Sequence, residues 1–94
     1  MTAADILTIL KIDLQISSSA LDEYLRGLID AARAFIIREG ITLADTLEDA
    51  QLVEMYAAYL YRCRRDTAMQ MPRMLRYALN NRLFGEKARK TVDG

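Results

Sequence analysis

Leu52-Val53-Glu54-Met55-Tyr56-Ala57-Ala58-Tyr59-Leu60-Tyr61 carries a single charge, Glu54, in ten residues. The run contains neither Gly nor Pro, and no alternation of apolar and polar residues marks it as a half-buried strand. A helix this apolar around its whole circumference has to be buried on nearly every side. Two covers are open for it: the other helices of its own chain, with tyrosine hydroxyls reaching solvent, or in part a second subunit. Thr46 precedes the run as an N-cap, with Glu48 and Asp49 in a first turn that favours acidic residues, and Arg64-Arg65 follows as a cationic end. The spacing therefore predicts a central helix from about residue 46 to 65.

Working outward, the chain has only 4 Gly and 1 Pro among its 94 residues, and they fall at helix boundaries. Upstream, Leu21, Leu25, Leu28, Ala32, Phe35 and Ile36 recur at helical spacing from about residue 20 to 38. Ser17-Ser18-Ser19 offers a start signal, with Ser19 and Asp22 as a capping box, and Asp22 and Arg26 at ion-pair spacing. Gly40 is placed to close this helix in the left-handed conformation. A short first helix is expected over residues 3–10, with Thr2 as cap. Ile12-Asp13-Leu14-Gln15-Ile16 alternates and predicts an extended segment. Downstream, Pro72 opens a fourth helix that should end at Gly85, with Leu75, Ala78, Leu79 and Leu83 as its apolar face. Residues 86–94 are polar and non-periodic and are expected to form a flexible tail. The fold class is all-α: one compact bundle of about four helices over residues 1–85, the third central.

The formal net charge of zero hides a division. Residues 1–54 hold ten acidic and four basic side chains, a balance of −6, and residues 55–94 hold nine basic and three acidic, a balance of +6. Such a split suits a protein that packs head to tail on copies of itself, because complementary patches steer encounter and set register. The competing explanation is pairing between helices of one subunit. The acidic face would carry Asp22, Glu23, Asp30, Glu48 and Asp49, and the basic face some of Arg62, Arg65, Arg73 and Arg76. Lys87, Arg89 and Lys90 would form a basic arm in the tail.

Histidine is absent, which removes the commonest general base and metal ligand. The one cysteine, Cys63, has no histidine to activate it and no second thiol for zinc or a disulfide, and it reads as a buried structural thiol. The glycines lie too far apart for a phosphate-binding loop. The expectation is a non-enzyme with no cofactor and no metal. Met69, Met71 and Met74 cluster at the last connection, either as core filling or as an adaptable contact surface. No apolar run approaches the roughly 20 residues that span a bilayer, and Met1-Thr2-Ala3-Ala4-Asp5 lacks a basic signal segment. A soluble cytosolic protein without membrane contact is expected.

The order of these signals from Ile6 to Phe84 resembles the small head–tail connector proteins of tailed bacteriophages, also called head-completion or adaptor proteins. Four pieces carry the resemblance: a first helix ending in Leu10-Lys11-Ile12-Asp13; a second with the core Ile29-Asp30-Ala31-Ala32-Arg33-Ala34-Phe35-Ile36; a third ending in Tyr59-Leu60-Tyr61-Arg62-Cys63-Arg64; and Met71-Pro72-Arg73-Met74-Leu75 opening the last. None is an invariant motif; their order and spacing make the likeness. It implies a virion structural protein of a phage or prophage. Such proteins form a homo-oligomeric ring beneath the portal vertex, join the DNA-filled head to the tail, and extend the DNA channel without sequence-specific binding. The portal protein and a downstream stopper or tail-completion protein would be its partners. It would reside in the host cytoplasm before assembly and at the head–tail junction of the virion afterwards, with Tyr59 among the contact residues. The alternative is a small helical DNA-binding protein, such as a terminase small subunit or prophage regulator, using its arginines on phosphates.

Overall fold

A computed structural model describes residues 3–93, with side chains described from Asp5 to Glu86. Four helices follow in order, α1 (Ala3–Leu14), α2 (Asp22–Arg38), α3 (Leu47–Arg65) and α4 (Arg73–Asp93), with no strand among the described residues. The third is the central element: it packs against α1, α2 and α4.

The apolar decapeptide behaves as its composition requires. Leu52, Val53, Glu54, Tyr56, Ala57, Ala58 and Tyr61 are buried, and Met55, Tyr59 and Leu60 are half-buried. The chain's own helices therefore cover most of α3. Ala57 and Ala58 have no bulk beyond Cβ, so neighbouring helices approach closely there. Thr46 caps α3 as its sequence suggests, its Oγ1 accepting from the Asp49 N–H at 3.2 Å. Onto this helix α1 packs Ile6, Leu7 and Leu10, α2 packs Leu25, Ile29, Ala32 and Ile36, and α4 packs Leu75 and Leu79, all buried.

Three boundaries differ from the sequence expectation. The first helix does not stop at Leu10 but runs to Leu14, so Ile12 to Leu14 are helical and not extended. An isolated five-residue strand has no partner for its backbone, whereas a helix bonds its own. The end is a left-handed cap on a non-glycine residue. Gln15 has φ 59°, its N–H donates to Ile12 O at 3.1 Å, and the Ile16 N–H donates to Lys11 O at 2.9 Å. That turn sends Ile16 back onto the core and leaves Ile12 73% exposed.

The second helix starts at Asp22, and the Ser19–Asp22 capping box does not form. Leu21 occupies the cap position without a side-chain hydrogen bond, and the Ser18 hydroxyl instead accepts from the Ala20 N–H at 3.0 Å. Asp22 reaches Lys11 of α1 at 2.7 Å, in place of the expected partner Arg26. The other end is as expected: Gly40 has φ 107°, which L residues seldom adopt, and a Cβ there would stand 3.2 Å from Leu83 Cδ1.

The fourth helix does not end at Gly85; it continues to Asp93, across the expected boundary between domain and tail. A helical glycine costs about 1 kcal/mol relative to alanine. Long-range bonds on both sides of Gly85 outweigh that. Arg82 Nη2 donates to Thr42 O at 3.1 Å, and the buried Glu86 accepts from the Thr42 N–H at 3.2 Å.

Candidate functional site

The division of charge along the chain is partly neutralised inside the subunit. Among the described residues three ion pairs join the acidic half to the basic half: Arg62 to Asp13 at 3.6 Å, Arg76 to Glu39 at 2.6 Å, and Arg82 to Asp49. They bring α3 to α1, and α4 to the end of α2 and the start of α3. Asp49 was expected to face a neighbouring subunit, and here the structure corrects the sequence. It is 4% exposed, and it also accepts from the Ala44 N–H at 2.5 Å. Burial pushes its carboxyl up, but the hydrogen bonds from Arg82 and Ala44 outweigh burial and hold it below the usual carboxylate range. Arg62 and Arg76 are likewise engaged within the subunit, and Arg76 also donates to Asn80 at 3.2 Å.

The remaining expected contact residues divide by position. Glu23 and Asp30 lie exposed on the outward side of α2, and Glu48 is exposed in the first turn of α3. Asp22 is half-buried against Lys11. Arg65 lies 5.6 Å over the Tyr61 ring and donates to its hydroxyl at 3.4 Å, and Arg64 lies 4.7 Å over Tyr24. Both guanidinium groups are thus drawn onto aromatic faces of the same subunit. Arg73 is exposed at the start of α4. The side chains of Lys87, Arg89 and Lys90 lie outside the described residues.

Tyr59 is half-buried at the edge of an aromatic group on α2 and α3. Phe35 stacks on Tyr56 with centroids 5.9 Å apart, and Tyr56 meets Tyr59 edge-on at 6.0 Å. A hydrogen bond with Cys63, and then burial, raises the Tyr59 phenol above its ordinary range. Cys63 is half-buried, so its thiol is less enclosed than expected. Among the described residues no group of three or more His, Cys, Asp or Glu side chains could hold a metal, and no helix is long and apolar enough to cross a membrane.

No family model, curated protein or solved structure matches this chain.

Sequence reasoning missed the outward face of α4. Leu75 and Leu79 are buried on its inner side, yet Met74, Tyr77 and Phe84 are 75%, 59% and 79% exposed on the other. The signal was present as a second apolar spacing, of three and seven residues, interleaved with the inner one. Of the three clustered methionines, Met74 is thus a surface residue, while Met71 packs against the core.

Proposed function

We propose that this chain is a structural phage or prophage protein of the head–tail connector kind. It would assemble with copies of itself into a ring beneath the portal vertex, joining the filled head to the tail and continuing the DNA channel. Its partners would be neighbouring copies, the portal and a downstream stopper, with DNA passing through unread. The observation that supports this reading is the outward face of α4, a helix already packed on its inner side that still presents three large apolar side chains to solvent. An exposed apolar patch of that kind is the usual mark of a protein contact surface.

The test is sedimentation of the full chain over a range of concentration and salt, with and without duplex DNA. Concentration-dependent assembly without DNA supports the connector. Salt-sensitive DNA binding by a chain that stays monomeric would replace it with a DNA-binding protein.

A further inference from the structure

We propose that the last turn of α1 and the reversal after it, residues 12–16, form a latch on α3 that is closed while the carboxyls of Asp13 and Glu54 share one proton and opens when that proton leaves. The latch stands independently of the connector reading.

The cluster that holds it has two acids and one base. Glu54 comes from the middle of α3 and is 6% exposed, and its Oε1 has no hydrogen-bond partner. Asp13, in the last turn of α1, is hydrogen-bonded to it. Arg62, two turns further along α3, lies 3.6 Å from Asp13. With one proton between the two carboxyls the group is neutral. Without it, two carboxylates face one guanidinium, and the excess negative charge sits where water is largely excluded. Burying an uncompensated charge is costly. The cost falls if Asp13 moves out to water, and its side chain is already 43% exposed.

The segment that carries Asp13 is built to yield. Gln15 takes a left-handed φ of 59°, which a residue with a Cβ adopts only at a cost. Two backbone bonds hold the turn, Gln15 N–H to Ile12 O and Ile16 N–H to Lys11 O. Leu14 and Ile16 pack only partly on the core, and Ile12 is 73% exposed. A cleft of about 370 Å³ lies between this turn and the end of α3, lined by Asp13, Leu14 and Gln15 on one side and by Tyr61, Arg62 and Arg65 on the other. It gives water a route to the pair and gives the turn space to move. Opening turns Leu14 and Ile16 out beside Ile12, so the deprotonated state shows an apolar surface that the protonated state hides.

Other charges on the elements around α3 are engaged elsewhere or face solvent. Lys11 of α1 pairs with Asp22 of α2 at 2.7 Å. Glu23, Arg26 and Asp30 of α2 are exposed, Arg33 lines a separate cleft near the start of α3, and Arg38 lies over Phe35. On α4, Arg76 pairs with Glu39 and Arg82 with Asp49, Glu86 accepts from Thr42, and Arg73 is exposed. Asp13 and Arg62 are the charges that act on the Glu54 carboxyl, which burial and Asp13 together push up to about 8.

The experiment is a titration of the isotope-labelled full chain by NMR from pH 5 to pH 9, following the side-chain carboxyl carbons and the backbone amides together. Glu54 should titrate near pH 8, well above its ordinary value of 4.5. The amides of Gln15 and Ile16 should move toward coil positions with the same midpoint, while those of Leu75 and Leu79 on α4 stay in place. Glu54→Gln should remove that transition and keep the turn closed throughout. Asp13→Asn, a change at an exposed position, keeps a hydrogen-bonding group but removes the like charge, so its Glu54 midpoint should fall. Three results would overturn the proposal. Glu54 titrating with the other glutamates would mean that it is solvated. Amides of the turn that stay fixed while Glu54 ionises would mean that the charge is absorbed without movement. A turn that still opens in Glu54→Gln would mean that another group drives it.

Discussion

Replacing Glu54 with glutamine should flatten the dependence of stability on pH. Glu54 sits in the middle of α3, 6% exposed, and its Oε1 has no hydrogen-bond partner. Burial, then a hydrogen bond and like charge from Asp13, push its carboxyl up to about 8, with Arg62 pulling the other way. The folded protein therefore keeps this proton where the unfolded chain has lost it. For an acid with a raised folded pKa, the stabilisation is fully present below the unfolded value. It declines as pH rises, until the folded group itself ionises. The window runs from the ordinary value of 4.5 to about 8. At about 1.4 kcal/mol per pH unit, the shift sets a ceiling of about 5 kcal/mol.

Arg62 can re-pair with the ionised group and lower that figure. A working loss of about 2 kcal/mol corresponds to a fall in Tm of roughly 8–16 °C for a domain of this size. Glutamine has no proton to lose, and its amide can donate to Asp13 at every pH in the window. Thermal melts at pH 5 and pH 8 should show the wild type losing Tm and Glu54→Gln holding it. Parallel curves for the two proteins would refute the reasoning, because Glu54 would then be ionised and well solvated in the fold.

Gly85→Ala should raise stability by about 0.5–1 kcal/mol, because nothing lies within 4 Å of a Cβ there and the position is inside a helix; a lower midpoint in urea would mean that α4 ends at this glycine. Arg82→Ala should cost about 3 kcal/mol, since it leaves the Asp49 carboxylate buried with its cation removed, and a near-unchanged melt would show that Asp49 is solvated. With the Asp49 pKa lowered, the wild type keeps this contribution above the ordinary carboxylate value of 3.8 and loses it as pH falls further; the Arg82→Ala penalty should therefore shrink in acid.

The elements legible in the sequence are those whose signals are local. The run from Leu52 to Tyr61, the Thr46 cap and the Gly40 turn each declare themselves within a few residues, and each stands as read. The misplaced boundaries were set by distant partners. Gln15 takes the left-handed turn usually given to glycine because it returns Ile16 to the core. Ser19 loses its capping role where Asp22 is drawn to Lys11. Gly85 stays helical because Thr42, more than forty residues away, binds Glu86 and Arg82 on either side of it.

The same limit applies to the candidate site. The opposite charges of the two halves can be counted from the sequence, but which of them cancel depends on the folded distances of Asp13–Arg62, Glu39–Arg76 and Asp49–Arg82. The outward stripe of α4 was legible in principle. It was hidden because the inner stripe of Leu75 and Leu79 already accounted for a helix.

Electron microscopy of the purified full chain at high concentration tests the central claim most directly. The account predicts closed rings that form without DNA and disappear in Phe84→Glu. Single compact particles at every concentration, with no assembly, would contradict it.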